Sequence, residues 1–188
     1  MHMYQIVSAA IQYDKSVKCP LCSLATVFCA LLFFSSTVLA QWLVNDNART
    51  ESGEQTSIAH KRNVAGYSLE IFKDSAFVIR ARFSLAEGLL KLRPDLCPTY
   101  QIDQNTPNNK SFNGSPCSVS DTHAEFILGN IKDNQVVSRL LLSVMNGKAI
   151  IFRFQLENGD YMETTISLAG SKRSMTSAIG ANITVRAQ

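Results

Sequence analysis

The sequence has little charge, and neither sign dominates. Only 18% of its 188 residues are charged, and 18 Lys plus Arg stand against 15 Asp plus Glu, which gives a net charge of +3. No run of Lys or Arg exceeds two residues, so the concentrated basic face that nucleic-acid binding needs is absent. Disorder is excluded because 46% of the residues are hydrophobic. We expect one domain of ordinary size and a targeting segment.

Residues that carry catalysis are also scarce. Histidine occurs only at His2, His60 and His123. Asp121 and His123 are two positions apart, which on a strand places them on one face, like the orienter and base of a catalytic triad. No Gly-x-Ser-x-Gly or Ser-x-x-Lys motif accompanies them. The sequence therefore predicts no catalytic residue and a solvated His123 at the start of a strand, with an envelope hydrolase using His123 and Asp121 as the alternative.

Cofactor and metal sites lack a basis in the sequence. The glycines are scattered at turns instead of clustering between a strand and a helix, as they do in phosphate-binding loops. After residue 40, no group of His, Cys and carboxylate residues has the spacing of metal ligands. We expect no cofactor and no metal.

The first forty residues have the layout of an export signal. Residues 21–40 carry no charge and follow Lys15 and Lys18, and Val38-Leu39-Ala40 precedes Gln41. A positive flank, an apolar centre and small residues before the cut are typical of a cleaved signal peptide. An uncleaved anchor is the alternative, because twenty helical residues span a bilayer core. This segment predicts a location and not an activity. We expect a periplasmic or secreted protein, or a protein anchored in the inner membrane with its domain outside the cytoplasm.

Two cysteines, Cys97 and Cys117, follow the predicted signal peptide. In an oxidising compartment such a pair forms a disulfide. The bridge would close a loop of about twenty residues and stabilise the fold by ~3 kcal/mol. The loop is rich in Asn, Pro, Ser and Gly, so it needs such a constraint.

The remaining pattern predicts a mainly β domain. Residues 41–63 are polar and lack a period, which indicates a flexible arm, and residues 64–188 form the predicted domain. Alternation predicts an antiparallel hairpin over 67–83, with Phe77, Ile79, Ala81 and Phe83 on one face, and a second hairpin around Asn158-Gly159. Helices are predicted over 136–145 and 171–179. The fold class is an antiparallel β-sandwich or curved sheet with one or two short helices.

Basic side chains recur on the predicted polar faces. If these faces adjoin, they could bind phosphate or carboxylate groups of a lipid or partner, since guanidinium groups bind such anions in bidentate fashion. Solvated strand faces are the alternative. The candidate anion- or partner-binding residues are Arg80, Arg82, Arg153, Lys172 and Arg173.

The C-terminal third resembles the exported invasion-associated locus B proteins of bacteria. From Cys117 to Gly180 it has a cysteine, a variable strand, a leucine-rich helix ending in Asn146-Gly147-Lys148, two strands and a small-residue helix. The segment Ile166–Gly170 stands where that family has Ser-Leu-x-Gly after its last strand. The family's tryptophan-led first strand, with its neighbouring cysteine, has no predicted counterpart, because Trp42 lies in the arm. The resemblance implies a β-rich periplasmic or surface-associated protein without known catalytic residues.

These observations predict an exported, non-enzymatic binding module of the bacterial cell envelope. Its partner would be an envelope component or another protein, and it would touch a membrane only through an uncleaved N-terminal segment. A membrane-anchored assembly factor is a further alternative.

Overall fold

A computed structural model describes residues 41–49, 53, 55–88, 90–105 and 117–187, all within one compact unit. The predicted signal segment, residues 1–40, lies outside the described residues. So does part of the loop between the two cysteines, residues 106–116.

The described chain is mainly β, which confirms the predicted fold class. Its elements, in chain order, are β1 (Leu43–Arg49), β2 (Gln55–Arg62), β3 (Ser68–Lys73), β4 (Val78–Ser84), β5 (Thr99–Ile102), β6 (Ser118–Val119), β7 (His123–Asn130), β8 (Gln135–Val137), α1 (Arg139–Asn146), β9 (Ala149–Gln155), β10 (Tyr161–Ser167), α2 (Ser171–Ile179) and β11 (Thr184–Arg186).

Antiparallel pairing dominates the strands. A six-stranded sheet has the order β1-β2-β3-β4-β7-β6, and a three-stranded sheet has the order β10-β9-β5. Every pair within these two sheets is antiparallel, whereas the small pair β11-β8 is parallel. Both predicted hairpins, β3-β4 and β9-β10, are present.

The two larger sheets pack through their apolar faces. Phe83 of β4 stacks on Phe152 of β9, with ring centroids 4.4 Å apart. Tyr67 lies 5.7 Å from Phe154 between ring centroids. Because successive side chains of a strand point to opposite faces, Arg80 and Arg82 of β4 point away from this core.

Helix α1 begins where its sequence provides a cap. The Ser138 hydroxyl accepts a hydrogen bond from the Leu141 amide at 3.0 Å and donates one to the Leu128 carbonyl at 2.6 Å. It therefore satisfies one of the unpaired amides of the first turn and ties the helix to β7. The predicted helical stripe is wrong at its start, since Val136 and Val137 belong to β8 and pair with β11.

Residues 41–63 contain β1 and β2 instead of the predicted flexible arm. Trp42 is buried, and its indole Nε1 donates to the Ser167 carbonyl at 3.0 Å. Strand β2 escaped prediction because the charged Lys61 occupies one of its buried positions. Strand β1 escaped prediction because it is an edge strand with mostly exposed side chains on both faces. An edge strand of this kind shows no apolar alternation.

Candidate functional site

Arg80 and Arg82 lie on the outer face of the six-stranded sheet, where they form a charge ladder with Glu70, Asp74 and Glu125. The Arg80 Nε atom is 2.7 Å from Asp74 Oδ2, and Arg82 Nη2 is 2.6 Å from Glu125 Oε1. Glu70 lies 3.6 Å from Arg82. Both guanidinium groups already have carboxylate partners, so an anionic ligand would have to displace a carboxylate to bind them.

The other predicted basic residues lie elsewhere in the fold. Arg153 is in β9, where its Nε atom is 2.6 Å from Glu163 Oε2 and its Nη1 donates to Gln101. It alternates with the buried Phe152 and Phe154, so it points to the outer side of the three-stranded sheet. Lys172 and Arg173 are exposed in the first turn of α2. The structure does not gather these side chains with the charge ladder into one patch.

Asp121 and His123 have different partners. The Asp121 carboxylate is 2.9 Å from Lys91 Nζ, and it raises the pKa of Lys91 through this hydrogen bond and its charge. His123 Nδ1 lies 2.7 Å from the Ser120 hydroxyl. Ser120 was missed in the sequence, although its spacing of three from His123 across a tight turn is the signal for such a contact.

The Ser120–His123 contact is part of the turn between β6 and β7. The Ser120 amide donates to the His123 carbonyl at 2.8 Å, so the same two residues close the turn through their backbone. A catalytic pair also needs a group that orients the base and donors that stabilise an oxyanion. The geometry brings Asp121 to Lys91 instead of to His123.

The predicted disulfide is present. Cys97 and Cys117 are bridged, with Cα atoms 6.0 Å apart and a sequence separation of 20. Among the described residues, no group of three or more His, Cys, Asp or Glu side chains has the arrangement of a metal site.

A further cleft lies where three loops of the fold meet. It has a volume of about 380 Å³ and lies between the β3-β4 turn, the β7-β8 turn and the loop after α2. We call it the turn cleft. It is lined by Lys73, Phe77, Ile131, Asp133, Asn134, Asn182 and Ile183.

Phe77 is the unusual residue of the turn cleft. Its side chain is 58% exposed and its φ is +60°, in the left-handed region that disfavours residues with a Cβ by about 1–2 kcal/mol. The sequence predicts Phe77 on the buried face of a strand, but β4 begins one residue later, at Val78. The prediction is wrong because Phe77 completes the turn instead of starting the ladder.

Within the described part of the chain, three hairpin loops share one hydrogen-bond pattern, which makes the choice of Phe informative. Each loop has five residues. The amide of its first residue donates to the carbonyl of the fifth, and the amide of its fourth residue donates to the carbonyl of the first. The loops are 63–67, 74–78 and 156–160. Their fourth residues are Gly66 (φ +89°), Phe77 (φ +60°) and Gly159 (φ +93°). Glycine is the residue that a loop of this kind favours at this position.

The β7-β8 turn also lines the cleft. Asp133 and Asn134 have φ values of +51° and +57°, which is typical of the primed two-residue turn and is tolerated by Asp and Asn. The Asn134 carbonyl accepts from the Thr184 amide at 2.9 Å, and the Asn182 side chain donates to the Asn134 side chain at 3.3 Å. Thus the β7-β8 turn and the loop after α2 hold each other in place.

Two further contacts fix the aromatic wall. The Phe77 carbonyl accepts from the Ile131 amide at 2.8 Å, which ties the β3-β4 turn to the residue after β7. The Lys73 ammonium lies 5.8 Å from the centroid of the Phe77 ring, within cation–π range. The ring is therefore anchored through its backbone while much of its surface stays open to solvent.

Comparison of the chain with protein-family models, with curated proteins and with solved structures finds no match. Neither helix of the described chain is long and apolar enough to cross a membrane.

Proposed function

We propose that this protein is an exported, non-enzymatic binding module of the bacterial cell envelope, and that the turn cleft holds the envelope component. The observation that carries the proposal is the exposed Phe77 ring, held at positive φ where two equivalent loops have glycine. Backbone strain of this kind clusters at ligand-binding sites and persists where the surroundings impose it. An exposed ring gains little from burial in the fold, so a contact outside the fold explains why Phe occupies this position.

The proposed location rests on the disulfide and on the sequence of residues 1–40. A bridge between Cys97 and Cys117 fits an oxidising compartment. Export into the periplasm or the medium, with or without cleavage after Ala40, is part of the proposal. So is kinship with the invasion-associated locus B proteins, which rests on the C-terminal sequence pattern.

A hydrolase remains the second candidate, through the 2.7 Å contact between Ser120 and His123. It would need an oxyanion site beside Ser120. Turnover of an ester substrate that is lost in Ser120→Ala would favour this candidate over a binding module.

Co-sedimentation with isolated cell envelopes tests the binding function. The full chain is expressed with its N-terminal segment, recovered from outside the cytoplasm and mixed with envelopes. We expect it to pellet with them, and Phe77→Gly to weaken the association at least tenfold. Tyr161→Ser is the matched control, because Tyr161 is an aromatic residue that is 77% exposed on β10, away from the cleft. Equal pelleting of wild type and Phe77→Gly would refute the proposed site.

A further inference from the structure

The turn cleft has the chemistry of a carbohydrate site, and we infer that it binds a neutral sugar ring stacked on Phe77. This inference rests on the proposed function and names its ligand class. It is carried by three properties of the cleft: an exposed aromatic face, a rim of amides and one carboxylate, and formal charges that cancel among its described lining residues.

The Phe77 ring supplies a flat apolar surface. A pyranose presents the C–H groups of its ring as an apolar face, and the π-face of an aromatic side chain, which carries partial negative charge, attracts such groups. Ile131 and Ile183 add apolar side chains to the lining. Small-ligand sites combine such surfaces with a few fixed polar groups in a volume of ~300–1,000 Å³, and the turn cleft has about 380 Å³.

The polar rim suits hydroxyl groups, which both donate and accept hydrogen bonds. The bond from Asn182 to Asn134 occupies one amide hydrogen and one amide oxygen. Each amide has two donors and an accepting oxygen, so both keep capacity for a ligand. Asp133 adds a carboxylate that accepts from hydroxyls. Planar amides and carboxylates can bond two neighbouring groups at once, as adjacent sugar hydroxyls require.

Charge argues against an ionic ligand. Among the described residues, Lys73 and Asp133 are the ionisable ones that line the cleft, and their formal charges cancel. The Lys73 ammonium is already engaged by the Phe77 ring at 5.8 Å. The Asp133 carboxylate would repel a phosphate or a uronate, and the Lys73 ammonium would repel a cationic ligand. A neutral polyhydroxylated ring avoids both repulsions.

A second cleft extends the site along the same turn. It has a volume of about 530 Å³, and its lining includes Asp133, Lys132, Gln135 and the exposed Val137. Because Asp133 borders both clefts, a ligand that leaves the turn cleft over the β7-β8 turn enters the second one. We therefore expect oligosaccharides to bind more tightly than monosaccharides.

Calorimetric titration of the exported protein tests the ligand class. The probes are the tetramer of N-acetylglucosamine, maltotetraose, a polygalacturonate and inorganic phosphate. We expect at least one neutral tetrasaccharide to bind, at least tenfold more tightly than its monomer, and neither anion to bind. Phe77→Gly should weaken binding at least tenfold, and Tyr161→Ser should leave it unchanged.

Thermal unfolding of the same variants separates a binding role from a structural one. Phe77→Gly places glycine at the positive-φ position of the β3-β4 loop, as in the two equivalent loops. Because glycine adopts this φ without strain, the melting temperature of the variant should be roughly 2–4 °C higher than that of the wild type. Asn134→Gly removes the amide and the exposed bond from Asn182, but keeps the positive φ and the backbone bond from the Thr184 amide. It should weaken sugar binding and lower the melting temperature by at most about 2 °C. A fall in melting temperature together with lost binding would assign Phe77 a structural role and overturn the inference.

The remaining outcomes distinguish the two proposals. If polygalacturonate or phosphate binds in a Phe77-dependent way and neutral sugars do not, the ligand class is wrong while the proposed binding function stands. If neutral sugars bind equally to wild type and Phe77→Gly, the turn cleft is not the sugar site. If none of the probes binds but envelope association depends on Phe77, the sugar inference fails alone.

Discussion

Lys61 has surroundings that oppose its charge. It lies on the inner face of β2, opposite Leu69 of β3, and is only 7% exposed. Among the described residues, no carboxylate forms an ion pair with its ammonium. Burial therefore lowers the pKa of Lys61, because desolvation penalises the charged form.

Replacing Lys61 with Met should stabilise the protein at neutral pH. Met retains an apolar chain of similar reach and removes the desolvated charge, so we expect a gain on the order of 1 kcal/mol in the free energy of unfolding. The folded state binds this proton less tightly than the unfolded state, so wild-type stability rises with pH between the lowered folded pKa and the unfolded pKa of about 10.4.

The pH profile of the difference between wild type and Lys61→Met is the decisive measurement. The advantage of Lys61→Met should be full below the folded pKa and should shrink as the pH approaches the unfolded pKa. Urea unfolding at a series of pH values measures it, and Lys61→Arg, which keeps the charge, is the control. A Met variant less stable than wild type at pH 7 would mean that the ammonium makes a favourable contact.

At the scale of elements, sequence periodicity predicts the strands that have one buried face. Over β3, β4, β9 and β10 the alternation is correct and both hairpins are present. The prediction from alternation fails for residues that belong to a turn or to an edge strand. Phe77 continues the apolar pattern of β4 but belongs to its turn, and β1 has no apolar face to detect.

Gly147 illustrates the same limit. Helix α1 ends at Asn146, and a glycine directly after a helix often adopts the left-handed conformation, but the φ of Gly147 is −72°. Glycine is needed for space instead, because a Cβ would lie 2.8 Å from the Ser143 carbonyl oxygen and 2.9 Å from Ile102 Cγ2. Contact between distant elements is not visible in local sequence, and this also hid the turn cleft, whose residues come from three separate loops.

Phe152→Ala tests the packing of the two sheets. The Phe152 ring is fully buried and contacts Phe83 across the interface, so its removal leaves a cavity that should cost about 3–5 kcal/mol. Phe152→Leu, which leaves less empty volume, should cost less. Exposed Tyr161 on the neighbouring strand is the reference, since Tyr161→Ala should change stability by at most ~0.5 kcal/mol. A loss below 1 kcal/mol on urea unfolding of Phe152→Ala would contradict the sandwich core.

At the scale of the whole molecule, the disulfide joins the two sheets. Cys97 precedes β5 of the three-stranded sheet, and Cys117 precedes β6 at the edge of the six-stranded sheet. The bridge thus links two segments that belong to different sheets. In the chain-entropy view, such a constraint acts mainly by restricting the unfolded state.

Removing both cysteines should lower the free energy of unfolding of the exported protein by about 2–4 kcal/mol. The double variant Cys97→Ser/Cys117→Ser avoids a free thiol, and reduced wild type should match it in stability while reductant leaves the variant unchanged. Alkylation without reductant should label neither Cys97 nor Cys117 in the exported protein. It should label both when the chain lacks residues 1–40 and stays in the cytoplasm, because thiols there are kept reduced. Labelling of both cysteines in the exported protein would remove the physical basis for placing the domain in an oxidising compartment.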